Sequence, residues 1–574
     1  MADKIAVARA LREMGMLLEV KGENPFKVRA YENGARALEE LPGNLDEVIA
    51  AGTLTDLPGI GEALGKKIEE LFRTGRLEAL DRLRADMPAG VGEMLRIPDL
   101  GPKKVAALLA ALGIGSVAEL ESACLDGRVR EVKGFGEKTE KKILEGIHRM
   151  RTASTRIRLS DAREIGDHLV RFLRATGAAA QVELAGSARR WKETVGDLDV
   201  VAGSHRPGLL SDALVAFPGV ESVAARGDTK TTVRLEGGLS VDLRVVPPDE
   251  FPSLLQHMTG SKEHNVRLRG LARDRGFTLS EWGLERLDGA GKVPLASEGD
   301  VYRALGLQLV PPELRQDTGE IEAAMNGTLP TDLVELGDLK GMVHVHTTWS
   351  DGRAPLEEMA RAAERMGMAY LTITDHSRSA GYAGGLDLDR LKAQWDEMAR
   401  VQEKVKIRLL RGTEADILDD GALDVPERLL EKLDVVIASV HSRMKMGASE
   451  MTRRMVAAMR QPVFKIWGHA TGRLLLEREP YGLDMDAVLD AIAASPAAIE
   501  VNGDPHRLDL EPRFIRRARE RGIRFALSTD AHSVAGLQNL RYAVMTARRG
   551  WVTRAEVLNA LPAAAFARAV RPVC

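Results

Sequence analysis

Through residues 1–150 apolar side chains recur every three or four positions, and short Gly/Pro breaks interrupt them. That spacing predicts a region that is nearly all helix. From about 155 to 250 the pattern changes to short apolar runs: Val182-Glu-Leu-Ala, Leu198-Asp-Val-Val-Ala, Thr231-Thr-Val-Arg-Leu and Leu239-Ser-Val-Asp-Leu-Arg-Val-Val. These predict strands mixed with helices. A small helical and stranded unit follows to about 315. Residues 316–337, with Gly-Glu-Ile-Glu and Asn326-Gly-Thr-Leu-Pro, read as a connector. Beyond 338, seven strand-like apolar runs alternate with helical stretches such as Leu356 to Met366 and Met485 to Ala494. Strands that alternate with helices pair in parallel.

Length and composition bound the picture. A chain of 574 residues holds several domains, since one core rarely serves more than about 250–300 residues. A net charge of −3 supplies no global basic excess for nucleic acid, although local patches and bound cations can provide it. Two cysteines, Cys124 and Cys574, make a disulfide framework unexpected and fit a reducing cytoplasm. No apolar run reaches the length of a membrane span, and the Met1-Ala-Asp-Lys-Ile start lacks a signal-peptide core, so no membrane partner is expected.

Three carboxylates carry the first candidate chemistry. Asp197 and Asp199 lie two apart, so a strand presents both on one face. Asp242 stands inside a second apolar run and can come alongside if the two strands pair. Beside Val241 and Leu243 a carboxylate is costly unless paired or metal-bound. Three such groups can hold two Mg²⁺ or Mn²⁺ ions for phosphoryl transfer. Gly186-Ser187 offers bare backbone N–H groups and a hydroxyl to a polyphosphate. The constellation predicts a nucleotidyltransferase.

Three of the helical breaks share a form: Leu57-Pro-Gly-Ile-Gly61, Ile97-Pro-Asp-Leu-Gly101 and Val132-Lys-Gly-Phe-Gly136, each leading into a lysine-rich helix. Glycines Gly59, Gly61, Gly101, Gly134 and Gly136 would let backbone N–H groups approach phosphate closely, without sequence preference. These loops resemble the helix–hairpin–helix of DNA repair proteins, and Asp99 departs from the pattern in the middle copy.

The second candidate site collects on the C-terminal half. His344, His346, Asp351, His376, Glu414, His441, His469, Asp530 and His532 all follow apolar runs. Polar residues gathered at the C-terminal ends of parallel strands indicate a barrel whose site lies on that face. Imidazole with carboxylate suits Zn, Mn or Fe.

Gly186-Ser-Ala-Arg-Arg190, Asp197-Leu-Asp199, Asp242 and Thr259-Gly-Ser-Lys-Glu-His-Asn265 together resemble the family X DNA polymerases over about residues 1–315. That resemblance implies a lyase-type helical domain over 1–80, DNA-binding fingers over 85–150, a palm over 155–245 and a nucleotide-selecting subdomain over 246–315. It also implies that Ser187, Arg190 and Gly196 hold the incoming dNTP and that Asn265 and Arg269 contact the nascent pair. Lys67 matches the Schiff-base lysine of 5′-deoxyribose-phosphate removal, with Lys27 and Tyr31 its neighbours; a plain phosphate-contacting lysine is the alternative. Two positions depart from the eukaryotic pattern. His257-Met258 replaces an aromatic pair, which bears on sugar discrimination, and Lys262 replaces an acidic residue, a cation that would strengthen dNTP binding before metal arrives.

His344-x-His346, Ser-Asp351-Gly, Asp375-His376-Ser, Gly-Thr-Glu414 and Asp530-Ala-His532 resemble the polymerase-and-histidinol-phosphatase (PHP) domain over 338–574. That implies a distorted seven-stranded (β/α)₇ barrel with up to three Zn²⁺, Mn²⁺ or Fe ions. The expected whole is a multidomain, cytoplasmic, monomeric DNA polymerase that fills gapped or nicked DNA bearing a 5′-phosphate. The PHP half would supply 3′→5′ exonuclease activity, to which abasic-site endonuclease or 3′-phosphatase activity could be added. The alternatives are a structural PHP domain or one acting on a small phosphoester.

Overall fold

A computed structural model gives the protein over residues 4–39, 41, 45–57, 59–95, 97, 100–152, 156–430 and 432–572. Asp99, the departure in the middle hairpin, and Cys574 lie outside the described residues. The chain forms two compact units: residues 1–156, 167–178 and 206–243, and residues 157–166, 179–205 and 244–574.

In the first unit the helical region is built as its periodicity requires. Helices Lys4–Val20, Pro25–Glu39, Glu62–Thr74, Pro102–Leu112, Val117–Leu125 and Glu137–Thr152 turn their apolar stripes into one core holding Leu11, Leu38, Ile68, Leu108, Leu120 and Ile143. The two segments expected as separate lyase and fingers domains thus share a continuous core.

The palm strands are β1 Gln181–Leu184, β2 Asp197–Gly203, β3 Val220–Arg226, β4 Lys230–Leu235 and β5 Ser240–Val246, in the sheet order β1-β2-β5-β4-β3. Strand β5, which carries Asp242, is the sheet neighbour of β2, which carries Asp197 and Asp199.

In the second unit, residues 316–337 are not the bare connector their Gly and Asn suggested. They contain the helix Glu320–Asn326, and Ile321, Ala324, Leu329 and Leu333 enter a core with Leu268, Tyr302 and Trp551. Buried Glu320 faces buried His264 at 2.7 Å, a pairing that fixes the segment.

The C-terminal sheet has seven parallel strands in chain order: β6 Gly341–Met342, β7 Tyr370–Ile373, β8 Arg408–Asp416, β9 Val435–Ser439, β10 Ile466–Trp467, β11 Ala498–Asn502 and β12 Phe525–Ser528. A bridge between Val345 and Ala531, just beyond the ends of the first and last strands, nearly closes the barrel. One set of strand side chains, with Met342, Leu371, Val436 and Phe525, meets the surrounding helices. The other set, with Tyr370, Leu410, Ile437 and Ile466, packs around Phe566 of the helix Ala563–Ala569. Tyr370 and Phe566 stack with centroids 4.7 Å apart. An aromatic plug at one end leaves the opposite, C-terminal end of the strands for chemistry.

Candidate functional site

The nine C-terminal residues singled out by sequence come together at that end of the barrel. Glu414, on β8, is the hub: its carboxylate lies 2.9 Å from His376 Nδ1, 2.9 Å from His469 Nε2, and 3.3 Å from both His344 Nε2 and His441 Nε2. Asp530 Oδ1 lies 3.2 Å from His346 Nε2 and 3.4 Å from His344 Nε2. Asp351 closes the outer side, 3.4 Å from His532 Nε2 and 3.6 Å from His376 Nε2. Three groups have ligand atoms within 4.8 Å of one another: His346, Asp351, His376 and His532; His344, His346 and Asp530; His376, Glu414 and His441.

The donor set fits metal ions. His344 Nε2, both ring nitrogens of His346, His376 Nδ1 and Glu414 Oε2 are buried without a hydrogen-bond partner. Buried polar atoms are nearly always paired, so several orphans aimed at one point indicate a ligand. The backbone is also constrained there: His344, His469 and Asp530 take φ of 64°, 25° and 50°. Side-chain-bearing residues avoid that region, and such outliers gather where function requires them. The same constraint explains why β6 stops at Met342, although the apolar run continued through Val345.

Electrostatics agree. Burial disfavours charge on His344, His346, His376, His441, Glu414 and Asp530. At His344 the carboxylates of Glu500, Asp530 and Glu414 outweigh it and hold the imidazole well above its ordinary pKa. At His376 and His441 burial is likewise outweighed, chiefly by Glu414, and the pKa values rise to about 10 and about 9. His346, pressed by burial and by His532 and His376, falls to about 3. Burial opposes ionisation of Glu414 and Asp530 too, yet the surrounding imidazoles keep both far below the usual carboxylate range. Protonated imidazoles therefore stand where cations would, and metal binding would release those protons.

Sequence reasoning missed the residues that aim the ligands. Glu500, fully buried on β11, lies 2.5 Å from His344 Nδ1 and accepts from Ser528 Oγ at 2.6 Å and from the His469 N–H at 2.5 Å. Asp416 pairs with His441 Nδ1. Asp375 accepts from Thr347 Oγ1 at 2.7 Å, Ser350 Oγ at 2.5 Å and Gln394 Nε2 at 2.7 Å. Glu500 and Asp416, so placed, fix ring orientation and tautomer, while Asp375 ties down the loop Thr347–Ser350 between His346 and Asp351. The available signal was a lone glutamate within the apolar run Ala498-Ile-Glu-Val-Asn502.

In the palm, β2 alternates exposed Asp197, buried Leu198 and half-buried Asp199. Gly186 opens the turn Gly186–Arg189 with φ 58°, and an added Cβ would lie 2.0 Å from Asp199 Oδ2. Only glycine allows that approach. Ser187 and Gly196 are half-buried. Arg190 donates to the Thr259 carbonyl, with its Nε buried and unpartnered. Arg189, not among the expected ligands, grips Glu298 through two bonds of 2.9 Å, and buried Arg315 joins that carboxylate at 2.5 Å. On β5, Asp242 accepts from Thr232 Oγ1 at 2.6 Å, and Lys230 Nζ lies 2.9 Å from its other oxygen. Among the described residues, every group of three or more ligand atoms within 4.8 Å belongs to the barrel.

Asn265 is buried and its amide is engaged, donating to the His257 carbonyl at 2.7 Å and accepting from Gln256 Nε2 at 2.9 Å. Lys262 and Arg269 are exposed on the same helix, Lys262–Asp274.

The three hairpins share one geometry. The N–H of Ile60, Leu100 and Phe135 donates to the carbonyl of Leu57, Ile97 and Val132 at 3.0, 3.1 and 2.9 Å. Those three donors are buried and hold each turn against the core. Gly59 and Gly134 take φ of 88° and 91°, and Gly61, Gly101 and Gly136 directly precede the following helices. Lys67 Nζ donates to the hydroxyl of buried Tyr31 at 2.6 Å, while Lys27 lies exposed, 3.4 Å from Glu23.

Comparison with known proteins adds an independent line. Family models match for the helix-hairpin-helix domain over residues 3–77, the SAM-like helix-hairpin-helix tandem over 91–149, the DNA polymerase beta thumb over 254–316 and the PHP domain over 343–502. The chain is 37% identical over 561 residues to the DNA polymerase/3′-5′ exonuclease PolX of Bacillus subtilis strain 168, covering 96% of this chain and 97% of that one. It is also 32% identical over 202 residues to a probable phosphatase of Caldanaerobacter subterraneus subsp. tengcongensis, covering 33% of this chain and 74% of that one. A probable phosphatase of Thermoanaerobacter sp. strain X514 is 29% identical over 230 residues, 38% of this chain and 88% of that one.

Proposed function

Because the chain belongs to the family X DNA polymerases that carry a C-terminal PHP domain, we propose that it fills short gaps in DNA during base-excision repair and trims DNA 3′ ends with its barrel. In the palm, Asp197, Asp199 and Asp242 are the metal ligands. Divalent cations bound there would lower the pKa of the primer 3′-hydroxyl and offset charge on the α-phosphate. The Lys230 ammonium, 2.9 Å from an Asp242 oxygen, supports placing positive charge there. The backbone of Gly186 and Gly196, Ser187, Arg190 and Lys262 hold the triphosphate, while Asn265 and Arg269 face the nascent pair. The hairpin glycines grip the DNA backbone beside the gap, whose 5′-phosphate meets Lys27, Tyr31 and Lys67. Lys67, paired to a phenol rather than a carboxylate, is the candidate nucleophile for 5′-deoxyribose-phosphate removal.

In the barrel the nine residues would hold up to three Zn²⁺, Mn²⁺ or Fe ions, and metals there would activate water. Its oxygen joins phosphorus, the bond from phosphorus to the penultimate O3′ breaks, and a 3′-hydroxyl and a nucleoside 5′-monophosphate result. Abasic-site endonuclease and 3′-phosphatase activities use the same chemistry. The observation that carries this reading is the convergence of metal-capable side chains, with buried atoms of His344, His346, His376 and Glu414 left unpartnered, in a chain similar over nearly its whole length to a polymerase–exonuclease.

The test is a one-nucleotide gapped duplex with a labelled primer and Mn²⁺, incubated with and without dNTPs. Extension with dNTPs and shortening without them supports both activities. Extension with no shortening overturns the exonuclease reading, and no extension overturns the polymerase reading. The likeness to probable phosphatases favours a second reading, in which the barrel hydrolyses a small phosphomonoester. Phosphate release from such esters with no DNA shortening would select it. The active form is a cytoplasmic monomer, checked by light scattering.

A further inference from the structure

Tyr382 is an exposed aromatic in a chain that has few: aromatic residues make up 4% of the sequence, and Tyr382 is 73% exposed. It does not sit on an idle surface. The turn Gly381–Ala383 places its ring 6.2 Å from that of His376 and 6.3 Å from that of His441, tilted by 59° and 62°. Both imidazoles belong to the metal-capable clusters, so the phenol stands at the mouth of the site.

The turn is held firmly. The N–H groups of Ala380, Gly385 and Leu386 donate to the carbonyls of Ser377, Ala380 and His376 at 3.1, 3.0 and 2.8 Å. Asp424 receives Ser377 Oγ at 2.7 Å and the Ser379 N–H at 3.0 Å, while Arg390 donates to the Gly384 carbonyl at 2.6 Å. An exposed aromatic on a fixed backbone has little conformational freedom left to lose when something binds its face. Aromatic faces that protrude beside a phosphate-handling site stack nucleobases whatever their identity.

The anionic part of a nucleotide also has a partner. Arg507 is half-buried beside the site, its buried Nε free of any hydrogen bond, 3.4 Å from Asp530 Oδ2 and 3.9 Å from Asp504 Oδ2. It lies close enough to act electrostatically on the Tyr382 phenol, as does Arg478. A planar apolar surface and a guanidinium thus flank the same metal cluster. A small phosphomonoester would use only the cation, whereas a nucleotide uses both.

We propose that Tyr382 is the stacking platform for the 3′-terminal base of the DNA strand that the barrel trims. The inference rests on the reading of the barrel as a nuclease. A duplex end buries its terminal base in the stack, so the strand must unpair before Tyr382 can receive it.

The first test needs no catalysis. A single-stranded oligonucleotide with 2-aminopurine at its 3′ terminus is titrated with the full chain in EDTA. Stacking quenches the probe, so wild type should quench it strongly, Tyr382→Ala weakly and Tyr382→Trp strongly, with 2-aminopurine at the 5′ end as control. The second test uses Mn²⁺ and compares oligonucleotides ending in an ordinary nucleotide or an abasic residue. Tyr382→Ala should raise KM roughly tenfold on the ordinary end, with kcat within about twofold. On the abasic end it should change neither. Equal quenching by wild type and Tyr382→Ala, or an equal loss on both substrates, overturns the proposal. Wild type that leaves DNA intact overturns the nuclease reading as well, whereas wild type that degrades DNA as Tyr382→Ala does overturns the platform alone.

Discussion

A methyl group at Gly186 would have to share space with Asp199 Oδ2, and the residue's φ of 58° adds about 1–2 kcal/mol for any L side chain. Gly186→Ala should therefore cut dNTP incorporation at least tenfold while leaving nuclease activity intact, read by primer extension and primer shortening on one preparation. Unchanged incorporation would remove Gly186 from the nucleotide site. Glu500 tests the barrel at the same scale. Glu500→Gln keeps the side chain's shape but exchanges a carboxylate oxygen beside His344 or the His469 N–H for an amide NH₂. Metal affinity should fall roughly 10–100-fold, measured by competition with a fluorescent chelator. These two residues mark how far the sequence could be read. Gly186-Ser187 and the nine metal-capable positions were legible because chemistry fixes their type and spacing. Glu500, Asp416 and Arg189 were not, because a residue that acts by aiming another needs only contact, and contact leaves no spacing in the chain.

Among the elements, legibility followed periodicity. The helices of 1–150 and the seven barrel strands carried long or repeated patterns and form where expected. β3, Val220–Arg226, escaped notice because most of its residues are exposed on both faces, so alternation never marked it. The helix Glu320–Asn326 was read as a connector because Gly319 and Asn326-Gly327 bracket it, and glycine ends a helix as readily as it makes a loop. Its anchor, the Glu320–His264 pair, joins residues too far apart in sequence to be paired by eye. The hairpins were legible, and they yield a prediction. Gly59→Ala with Gly134→Ala forces L residues into φ near 90°, displacing backbone N–H groups that would meet phosphate. Affinity for gapped duplex should drop several-fold on every sequence alike, with kcat at saturating DNA unchanged, measured by fluorescence anisotropy and primer extension. A loss confined to some sequences would mean that these loops read bases.

Across the whole molecule the decisive question is whether the polymerase and barrel chemistries are separable. Glu193 lies between Arg190 and Asp197 in the chain. Its carboxylate lies 3.0 Å from Arg549 Nη1 and 3.9 Å from Arg473 Nη2, and Arg549 also donates to the Trp191 carbonyl at 3.1 Å. Arg473 in turn holds the Arg507 and Leu508 carbonyls, and Arg507 meets Asp530. Burial raises the Glu193 pKa, but Arg549 and Arg473 outweigh it and bring it to about 2 from the ordinary 4.5. A depressed carboxylate stabilises the fold above its unfolded value and stops doing so as pH falls through its folded one. The Glu193 contribution is thus complete above about pH 4.5 and fades toward pH 2. Glu193→Gln should lower stability by about 3 kcal/mol at pH 7, since it removes the carboxylate facing two buried guanidiniums that keep only backbone partners and, at Arg473, Glu511. The gap between wild type and variant should narrow as the buffer is taken from pH 5 to pH 3, followed by thermal melts. Asp530→Ala should abolish shortening and spare extension, and Asp197→Ala with Asp199→Ala should do the reverse. If Glu193→Gln instead weakens both activities at a temperature where it stays folded, the palm loop and the barrel ligands are positioned together through Arg473. If it melts early with both activities intact below its Tm, the pair is structural only.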